Sequence, residues 1–277
     1  MDLLQKTKNL LHLHRVSLKK RLGQNLAVDS AFLQKMISYA SLTEEDMVLE
    51  VGAGLGFLTK LLSEKCKKVL AVEVDPRLVE ILKEQLRGSN NVDLIEGDIF
   101  KVHLPSFNKV VSTPPYNISS PLLFFLLEKG FDCAVLSLQE EFADRLVAPV
   151  GSKDYSRLTV MVYYRAETEL LDHVSRDVFY PPPEVDSTIV RLKPRKPPFP
   201  LEDEKTFFEL VRIMFSQRNK KVRNGVVLFL RERSVREDDA RKMADSMLFK
   251  DKRVRELTPE DFGALANELF RKEICVR

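Results

Sequence analysis

Short apolar runs alternate with longer amphipathic stretches through the middle of the chain. Runs rich in Val, Leu and Ile predict five strands, at residues 47–51, 68–73, 92–96, 109–112 and 133–138. Apolar residues at three-to-four spacing predict helices between them, at residues 57–66, 76–87, 121–129 and 140–147. Alternating strands and helices of these lengths indicate an α/β fold, with a mostly parallel sheet and helices on both faces.

The flanking regions follow different patterns. Asp29 is a plausible N-cap for a helix over residues 30–40. Strands at 168–174 and 187–192 flank a proline-rich turn and predict an antiparallel edge of the sheet. The proline-rich run at 193–200 indicates a stiff linker. Further helices are predicted beyond it, at residues 205–215, 221–231, 239–248 and 259–271.

These patterns predict two domains, one at residues 1–193 and a small helical one at 194–277. The 277-residue chain is 44% hydrophobic, which is enough for a full core. No apolar run approaches the ~18–20 residues of a membrane helix, and the N-terminus lacks the apolar core of a signal peptide. We therefore expect a cytoplasmic protein without a membrane segment, and nothing in the sequence demands more than a monomer.

Cysteine and histidine spacing argues against a metal site. Cys66, Cys133 and Cys275 are far apart, and neither a disulfide framework nor a zinc motif is encoded. His12 and His14 are the closest histidine pair, and two histidines in a basic segment are more often solvated than ligands. We predict no bound metal.

The placement of charge is more informative than the net charge of +3. Residues 1–28 carry six Lys or Arg against one Asp, whereas residues 29–200 carry 20 basic and 25 acidic residues. Residues 212–223 hold five basic residues and no acid, and residues 15–21 are also basic. The ordinary explanation is a solvated helix face, but such stretches also attract a phosphate backbone. The RNA-binding candidates are Lys19, Lys20, Arg21, Arg218, Lys220, Lys221 and Arg223.

A glycine-rich turn follows the first strand of the alternating region, in the run Glu50–Phe57. Its spacing is GxGxG, and Phe57 stands where a dinucleotide-binding loop would have its third glycine, which argues against a nicotinamide oxidoreductase. Glu73 ends the second strand and can accept hydrogen bonds from ribose hydroxyls. Asp98 follows the third strand, where it can accept from an adenine amine, with Ile99 against the ring. Each acid could instead cap the next helix, but the ordered set favours a nucleoside site and resembles class I methyltransferases that use S-adenosylmethionine.

The fourth strand runs into a rigid loop, Thr113-Pro114-Pro115-Tyr116. An exocyclic adenine amine is a poor nucleophile because its lone pair is delocalised into the ring. Oxygen acceptors at Thr113 and at the Pro114 carbonyl could hold the amine hydrogens, and Tyr116 could stack on the base. A buried tyrosine beside a proline turn is the plainer interpretation, and the neighbouring nucleoside site makes it the weaker one.

Several motifs in order identify a family resemblance. The chain contains Gly23-Gln24-Asn25, the glycine loop, Pro115-Tyr116-Asn117-Ile118-Ser119, Gly151–Tyr155, Phe179–Ser187 and Phe215–Lys221. Over nearly its whole length it resembles the ribosomal RNA adenine dimethyltransferases, closest to their archaeal and eukaryotic branch. That resemblance implies dimethylation of two adjacent adenosines in a hairpin near the 3′ end of small-subunit rRNA, with a role in ribosome biogenesis.

The resemblance also implies roles for individual residues. Thr113, Pro114 and Tyr116 would hold the target base, with Phe179 as a second stacking face. The implied S-adenosylmethionine contacts are Gln24, Asn25, Ala27, Gly52, Gly54, Glu73, Val74, Asp98, Ile99 and Thr113. The partner would be small-subunit rRNA or a precursor of the small ribosomal subunit.

The chain departs from the family pattern at two places. Leu26 and Ala27 follow Asn25 where the family usually has Phe-Leu, and Thr113 stands where its loop normally begins with asparagine. The second departure keeps open an assembly factor that binds precursor rRNA without methylating it. A large-subunit rRNA methyltransferase and a DNA adenine methyltransferase would use the same chemistry on a different substrate. The motifs at 151–155, 179–187 and 215–221 favour the small-subunit enzyme over both.

Overall fold

The structure is a computed structural model that describes the backbone of residues 2–276 and the side chains of residues 2–272. The side chain of Cys275, and with it any pairing of that residue, lies outside this described part. The chain divides into two compact units, one formed by residues 1–143 and 168–194 and the other by residues 144–167 and 195–277. The sequence-based boundary falls close to the last junction. Residues 144–167, which the sequence-based prediction placed in the first domain, pack with the C-terminal helices in the second unit.

A seven-stranded sheet forms the centre of the first unit. Its strands are β2 (Met47–Val51), β3 (Lys68–Glu73), β4 (Val92–Glu96), β5 (Lys109–Ser112), β6 (Cys133–Gln139), β7 (Ala166–Val174) and β9 (Ser187–Pro194). The order across the sheet is β4-β3-β2-β5-β6-β9-β7, with β2 to β6 parallel and β9 antiparallel to β6. The predicted mostly parallel sheet with an antiparallel addition is therefore confirmed.

The strand order reverses between β2 and β5, which are neighbours although two strands separate them along the chain. Open α/β sheets bind ligands at such a switch point, beyond the carboxyl ends of the strands. The register aligns those ends, since Val51 lies opposite Val72 and Glu73 lies opposite Glu96. The loops after β2, β3, β4 and β5 consequently meet at one edge of the sheet.

Helices of the first unit cover the sheet and bury both of its faces. Their bounds are α1 (Leu3–Leu13), α2 (Ser30–Ala40), α3 (Phe57–Ser63), α4 (Pro76–Gln85), α5 (Ser119–Lys129) and the beginning of α6 (Glu140–Leu146). Val48 and Leu49 point to opposite faces of β2, and both are fully buried. Asp29 caps α2 as predicted, by accepting a hydrogen bond from the Phe32 amide at 2.7 Å.

A separate two-stranded ribbon lies beside the sheet's ligand-binding edge. β1 (Leu26–Ala27) pairs antiparallel with β8 (Phe179–Tyr180), with Leu26 opposite Tyr180 and Ala27 opposite Phe179. Neither strand was predicted, because two residues are too short a run for an apolar period to show. The ribbon joins the segment after α1 to the segment before β9.

The second unit is helical, as predicted for the C-terminal part of the chain. Its helices are α7 (Arg157–Arg165), α8 (Glu204–Ser216), α9 (Val222–Glu232), α10 (Glu237–Asp245) and α11 (Pro259–Val276). Fully buried Phe207, Phe229 and Phe262 lie at the centre of its core. Thr258 and Asp261 cap the start of α11 reciprocally, in agreement with the predicted helix start.

Helix α7 was not predicted, because its sequence RLTVMVYYR is rich in residues that favour strands. Val160 and Tyr164 lie four residues apart and bury the same helical face in the second unit's core. Packing therefore determines its conformation over local propensity. Within residues 2–276, no helix is long and apolar enough to cross a membrane.

Candidate active site

A cavity of about 270 Å³ lies at the edge of the sheet where the strand order reverses. Small-molecule sites commonly enclose roughly 300–1,000 Å³, so this cavity is slightly smaller than the lower limit of that range. All ten residues predicted to contact the cofactor line it. These are Gln24, Asn25, Ala27, Gly52, Gly54, Glu73, Val74, Asp98, Ile99 and Thr113. Their individual roles remain predictions.

The glycine turn between β2 and α3 forms the floor of the cavity. Gly52 and Gly54 have φ values of 80° and 60°, in the left-handed region that favours glycine. A Cβ atom on Gly54 would lie 2.8 Å from Leu26 Cδ2, and one on Gly52 would lie 3.0 Å from Pro115 Cδ. The turn therefore needs glycine both for its conformation and for its close approach to β1 and the loop after β5.

Glu73 is held at the cavity wall by backbone donors. Its carboxylate accepts hydrogen bonds from the amides of Gly54 (2.9 Å), Val74 (3.0 Å) and Asp75 (2.9 Å). Burial raises the pKa of Glu73, whereas these three donors lower it. A carboxylate has about four acceptor positions, so one remains on Oε2, which receives only the Gly54 amide. The side chain is fixed in place and still able to accept from a ligand hydroxyl.

Glu50 is a second buried acid of the cavity, and the sequence pattern gave it no role. It is 3% exposed, lines the cavity, and its Oε2 atom has no hydrogen-bond partner among the described residues. Burial raises its pKa to about 8, the neighbouring Thr59 hydroxyl opposes this increase, and nearby Glu73 adds to it. Buried polar atoms normally have a partner. An unpartnered carboxylate oxygen in a ligand cavity is therefore a candidate acceptor for a cationic group, and its place at the end of β2 was the available sequence signal.

Other predicted cofactor residues are already engaged in local hydrogen bonds. Asp98 accepts from the Phe100 amide at 3.1 Å, and its carboxylate lies 3.6 Å from the ammonium of Lys101. Gln24 accepts from the Lys19 amide at 2.7 Å and donates to Asp75 at 2.9 Å. The Gln24 amide therefore fixes the segment before β1, in addition to lining the cavity.

The loop after β5 brings the predicted catalytic residues beside the cavity. Thr113 lines the cavity, and neither its hydroxyl nor the Pro114 carbonyl has a hydrogen-bond partner among the described residues. The Tyr116 hydroxyl lies 2.5 Å from the Ser187 hydroxyl of β9. Burial raises the pKa of the Tyr116 phenol, which therefore stays protonated at neutral pH. Ser187 thus anchors the ring predicted to stack on the target base.

Phe179 is buried beneath Tyr116. Its ring is 4% exposed and packs edge-on against Tyr116 at 6.4 Å and against Phe32 at 5.5 Å between centroids. The structure brings the two predicted aromatic residues together. In this conformation Phe179 supports the Tyr116 ring and presents no open face of its own.

The basic residues predicted to bind RNA differ in their surroundings. Lys20 and Arg21 are exposed beside Leu22 and Gly23 at the cavity wall, and neither forms an ion pair with a described residue. Lys19 is one-third exposed and lies 3.9 Å from Asp75.

The predicted basic residues of the second unit have other contacts. Arg218 donates to the Ser152 and Lys153 carbonyls at 2.7 and 2.6 Å. Lys221 pairs with Asp251 at 3.0 Å, and Arg223 lies 3.9 Å from Asp245. Lys220 is exposed, with no side-chain partner among the described residues. Their role toward RNA remains a prediction.

Comparison with known proteins identifies the family. A profile described as "Ribosomal RNA adenine dimethylase" matches residues 15–269. A protein of Methanosarcina acetivorans named "Probable ribosomal RNA small subunit methyltransferase A" is 43% identical over 249 residues, which cover 89% of this chain and 92% of that protein. Its namesake from Methanothermobacter thermautotrophicus is 42% identical, over 95% of each chain.

Solved structures agree with the sequence relatives. A dimethyladenosine transferase from Plasmodium falciparum is 33% identical, with a TM-score of 0.76 over 90% of this chain and 98% of that one. The 23S rRNA methyltransferase ErmE is 28% identical, with a TM-score of 0.65 over 89% and 100% of the two chains. The fold is therefore that of class I methyltransferases. The chain belongs to the ribosomal RNA adenine dimethylase family, whose members are methyltransferases that use S-adenosylmethionine.

Proposed function

We propose that this protein dimethylates the exocyclic amines of two adjacent adenosines in a hairpin near the 3′ end of small-subunit rRNA, as a step in ribosome biogenesis. The observation that carries the proposal is the loop after β5. Thr113 lines the cofactor cavity, Pro114 follows it, and their hydroxyl and carbonyl oxygens have no hydrogen-bond partner among the described residues, while the next aromatic ring of the loop, Tyr116, is anchored by Ser187.

The residues of the cavity fit S-adenosylmethionine. Glu73 offers its remaining acceptor position to ribose hydroxyls, and the unpartnered oxygen of Glu50 suits the ammonium of the methionine part. Asp98 and Ile99 would hold the adenine ring. When bound, the cofactor supplies an electrophilic methyl group on a sulfonium.

The chain's own contribution is to orient the target amine. Thr113 Oγ1 and the Pro114 carbonyl would accept hydrogen bonds from the two amine hydrogens, which favours a pyramidal nitrogen with a directed lone pair. Tyr116 would clamp the base, with its hydroxyl held by Ser187 and its ring supported by Phe179. Neither acceptor is a base, so the proton that the methylated amine loses would pass to water, and acceleration would come from alignment of the reacting atoms.

The names of the relatives support the small subunit as substrate. The archaeal proteins that are 41–44% identical are called small-subunit methyltransferases, whereas the large-subunit enzyme ErmE is 28% identical. The alignments with these relatives cover nearly the full length of both chains, so they include both units of this protein.

The test is transfer of radiolabelled methyl groups to small ribosomal subunits that lack the modification, followed by separation of the nucleosides. We expect label in dimethyladenosine with the native chain and none with Tyr116→Ala. Tyr163→Ala in the second unit is the matched control and should remain active. Thr113→Asn should raise kcat by about tenfold, if the planar amide adds one hydrogen bond of ~1.4 kcal/mol in the transition state.

Two results would redirect the assignment. Tight binding to these subunits without methyl transfer would indicate an assembly factor whose catalytic loop has lost its activity, provided that Thr113→Asn restores methyl transfer. Label in large-subunit rRNA alone would keep the chemistry and overturn the substrate.

A further inference from the structure

An open groove lies between α1, the segment after it and the end of β8, separate from the cofactor cavity. Its lining residues are Lys8, Leu11, His12, Arg15, Val16, Ser17, Leu18, Tyr180 and Pro181, and its volume is about 800 Å³. We propose that this groove binds the phosphodiester backbone of the RNA strand that flanks the target adenosine. The inference rests on the proposed function, because it takes the ligand to be RNA.

The groove's charge is uncompensated. Lys8 and Arg15 line it, no acidic residue does, and neither of these two cations forms an ion pair within the described part of the chain. The Lys8 ammonium lies over the Tyr180 ring, 5.6 Å from its centroid, so it is directed along the wall of the groove. Free cations on a concave surface beside an aromatic ring suit a nucleic-acid backbone.

The groove's shape is fixed before any ligand binds. The Arg15 and Val16 amides donate to the His12 and Leu11 carbonyls at 3.1 and 2.9 Å and turn the chain back at the end of α1. Arg77 then donates to the Ser17 carbonyl at 3.0 Å. An ordered binding surface loses less conformational entropy when it binds.

The groove continues toward the catalytic loop through the β1–β8 ribbon. Tyr180 lines the groove, and the preceding residue, Phe179, contacts the Tyr116 ring. Leu26, which pairs with Tyr180, lines the cofactor cavity. The β1–β8 ribbon thus links the groove to the support of Tyr116, and on that connection we assign the groove to the backbone that flanks the target base.

The experiment measures binding of a fluorescent RNA hairpin with the small-subunit 3′ sequence, by anisotropy over a range of salt concentrations. The double substitution Lys8→Glu with Arg15→Glu should weaken binding at least tenfold. The slope of log K against log salt should become shallower by about 1.4, because two single-strand phosphate contacts are lost. In methylation assays, KM for the RNA should rise while kcat at saturating RNA stays within about twofold.

The control is Lys65→Glu with Lys129→Glu, which changes the net charge equally. Both residues are exposed and precede strands, at the edge of the sheet opposite the cavity. Binding should change less than twofold there, and all variants should bind S-adenosylhomocysteine normally.

If the two double variants weaken hairpin binding equally, or if the groove variant binds the hairpin as the native protein does, the groove is not an RNA-binding site. Either result would leave the proposed function intact. Failure of the native protein to bind the hairpin would overturn the groove assignment, whereas failure to methylate small subunits would overturn the proposed function.

Discussion

The two basic segments of the chain look alike in sequence and differ in structure. In the N-terminal segment, the side chains of Lys20, Arg21 and the groove residues form no ion pair within the described residues. In residues 212–223, four of the five basic residues contact acids or carbonyls of their own unit. Arg212, for example, pairs with Glu232 at 2.8 Å.

The difference shows that a count of basic residues does not measure available charge. The run at 212–223 contains no acid, yet Glu232, Asp245 and Asp251 approach it from later in the chain. Such exposed pairs are weak and can exchange partners. Lys19 also has such a partner in Asp75. Lys20, Arg21 and the groove residues need no exchange, and we expect them to contribute more to the salt dependence of RNA binding.

The largest expected effect is on the free energy of unfolding. It extends the contrast between paired and unpaired charges to the interior, where the Glu50 Oε2 atom has no partner among the described residues. Because its folded-state pKa is about 8, against 4.5 for a free carboxyl, the folded protein retains a proton that the unfolded chain releases. Stability without cofactor should therefore fall as pH rises from 5 to 8. In Glu50→Gln this fall should be smaller by roughly 2–4 kcal/mol. Urea unfolding at both pH values measures it.

Glu64→Gln is the matched control for Glu50, since Glu64 is exposed at the end of α3. It should reproduce the native pH dependence. Equal slopes in all three proteins would show that Glu50 does not titrate in this range.

The next effect compares the basic segments directly. Lys20→Ala with Arg21→Ala should weaken hairpin binding by about five- to tenfold and reduce the salt slope by about 1.5, through loss of two phosphate contacts. Arg212→Ala with Arg223→Ala should weaken it about twofold, since those guanidinium groups already have carboxylate partners. Anisotropy titrations measure both variants. The reverse order would place the main RNA contact in the second unit.

Arg218 separates a structural role from an RNA contact. Its guanidinium joins the turn after α8 to the loop at 151–155 through two carbonyls, beside the 5.6 Å contact between the Tyr155 and Phe215 rings. Arg218→Ala should lower the free energy of unfolding by about 1–2 kcal/mol, with the salt slope unchanged. Thermal unfolding and anisotropy provide the two readouts. A shallower slope at unchanged stability would show that Arg218 contacts phosphate.

The smallest expected effect compares adjacent lysines. Lys220 has no side-chain partner among the described residues, whereas Lys221 pairs with Asp251 at 3.0 Å. Lys220→Ala should reduce the salt slope by about 0.7–0.9, and Lys221→Ala should reduce it by less than half of that. Both should weaken binding less than threefold. Identical slopes would show that the surface ion pair exchanges freely with phosphate.

The sequence was sufficient to predict the sheet and its cofactor edge, because both depend on local patterns. Strands β2 to β5 have the predicted bounds, and the residues predicted for the cofactor line one cavity. The turn after β2 has a left-handed backbone, and the glycines in the sequence indicate that conformation because glycine adopts it most readily.

The missed features depend on contacts between distant residues. The burial of Phe179, the anchor between Tyr116 and Ser187 and the ion pairs of residues 212–223 all involve partners far apart in sequence. Glu50 was part of the recognised motif, but its unpartnered oxygen depends on packing around β2. Helix α7 has the composition of a strand, and only the second unit's core makes it helical.

The interrupted second unit has a consequence for synthesis of the protein. Residues 144–167 leave the ribosome before helices α8 to α11, which bury them in the folded protein. Residues 168–194 belong to the other unit and lie between these two parts of the chain, so they lengthen the interval. Until α8 to α11 emerge, the Val- and Tyr-rich α7 segment is without its core and has the composition of an aggregation-prone strand. Slow translation of the linker at 193–200 would prolong that exposure, so this is the stretch of the nascent chain where a chaperone would matter most.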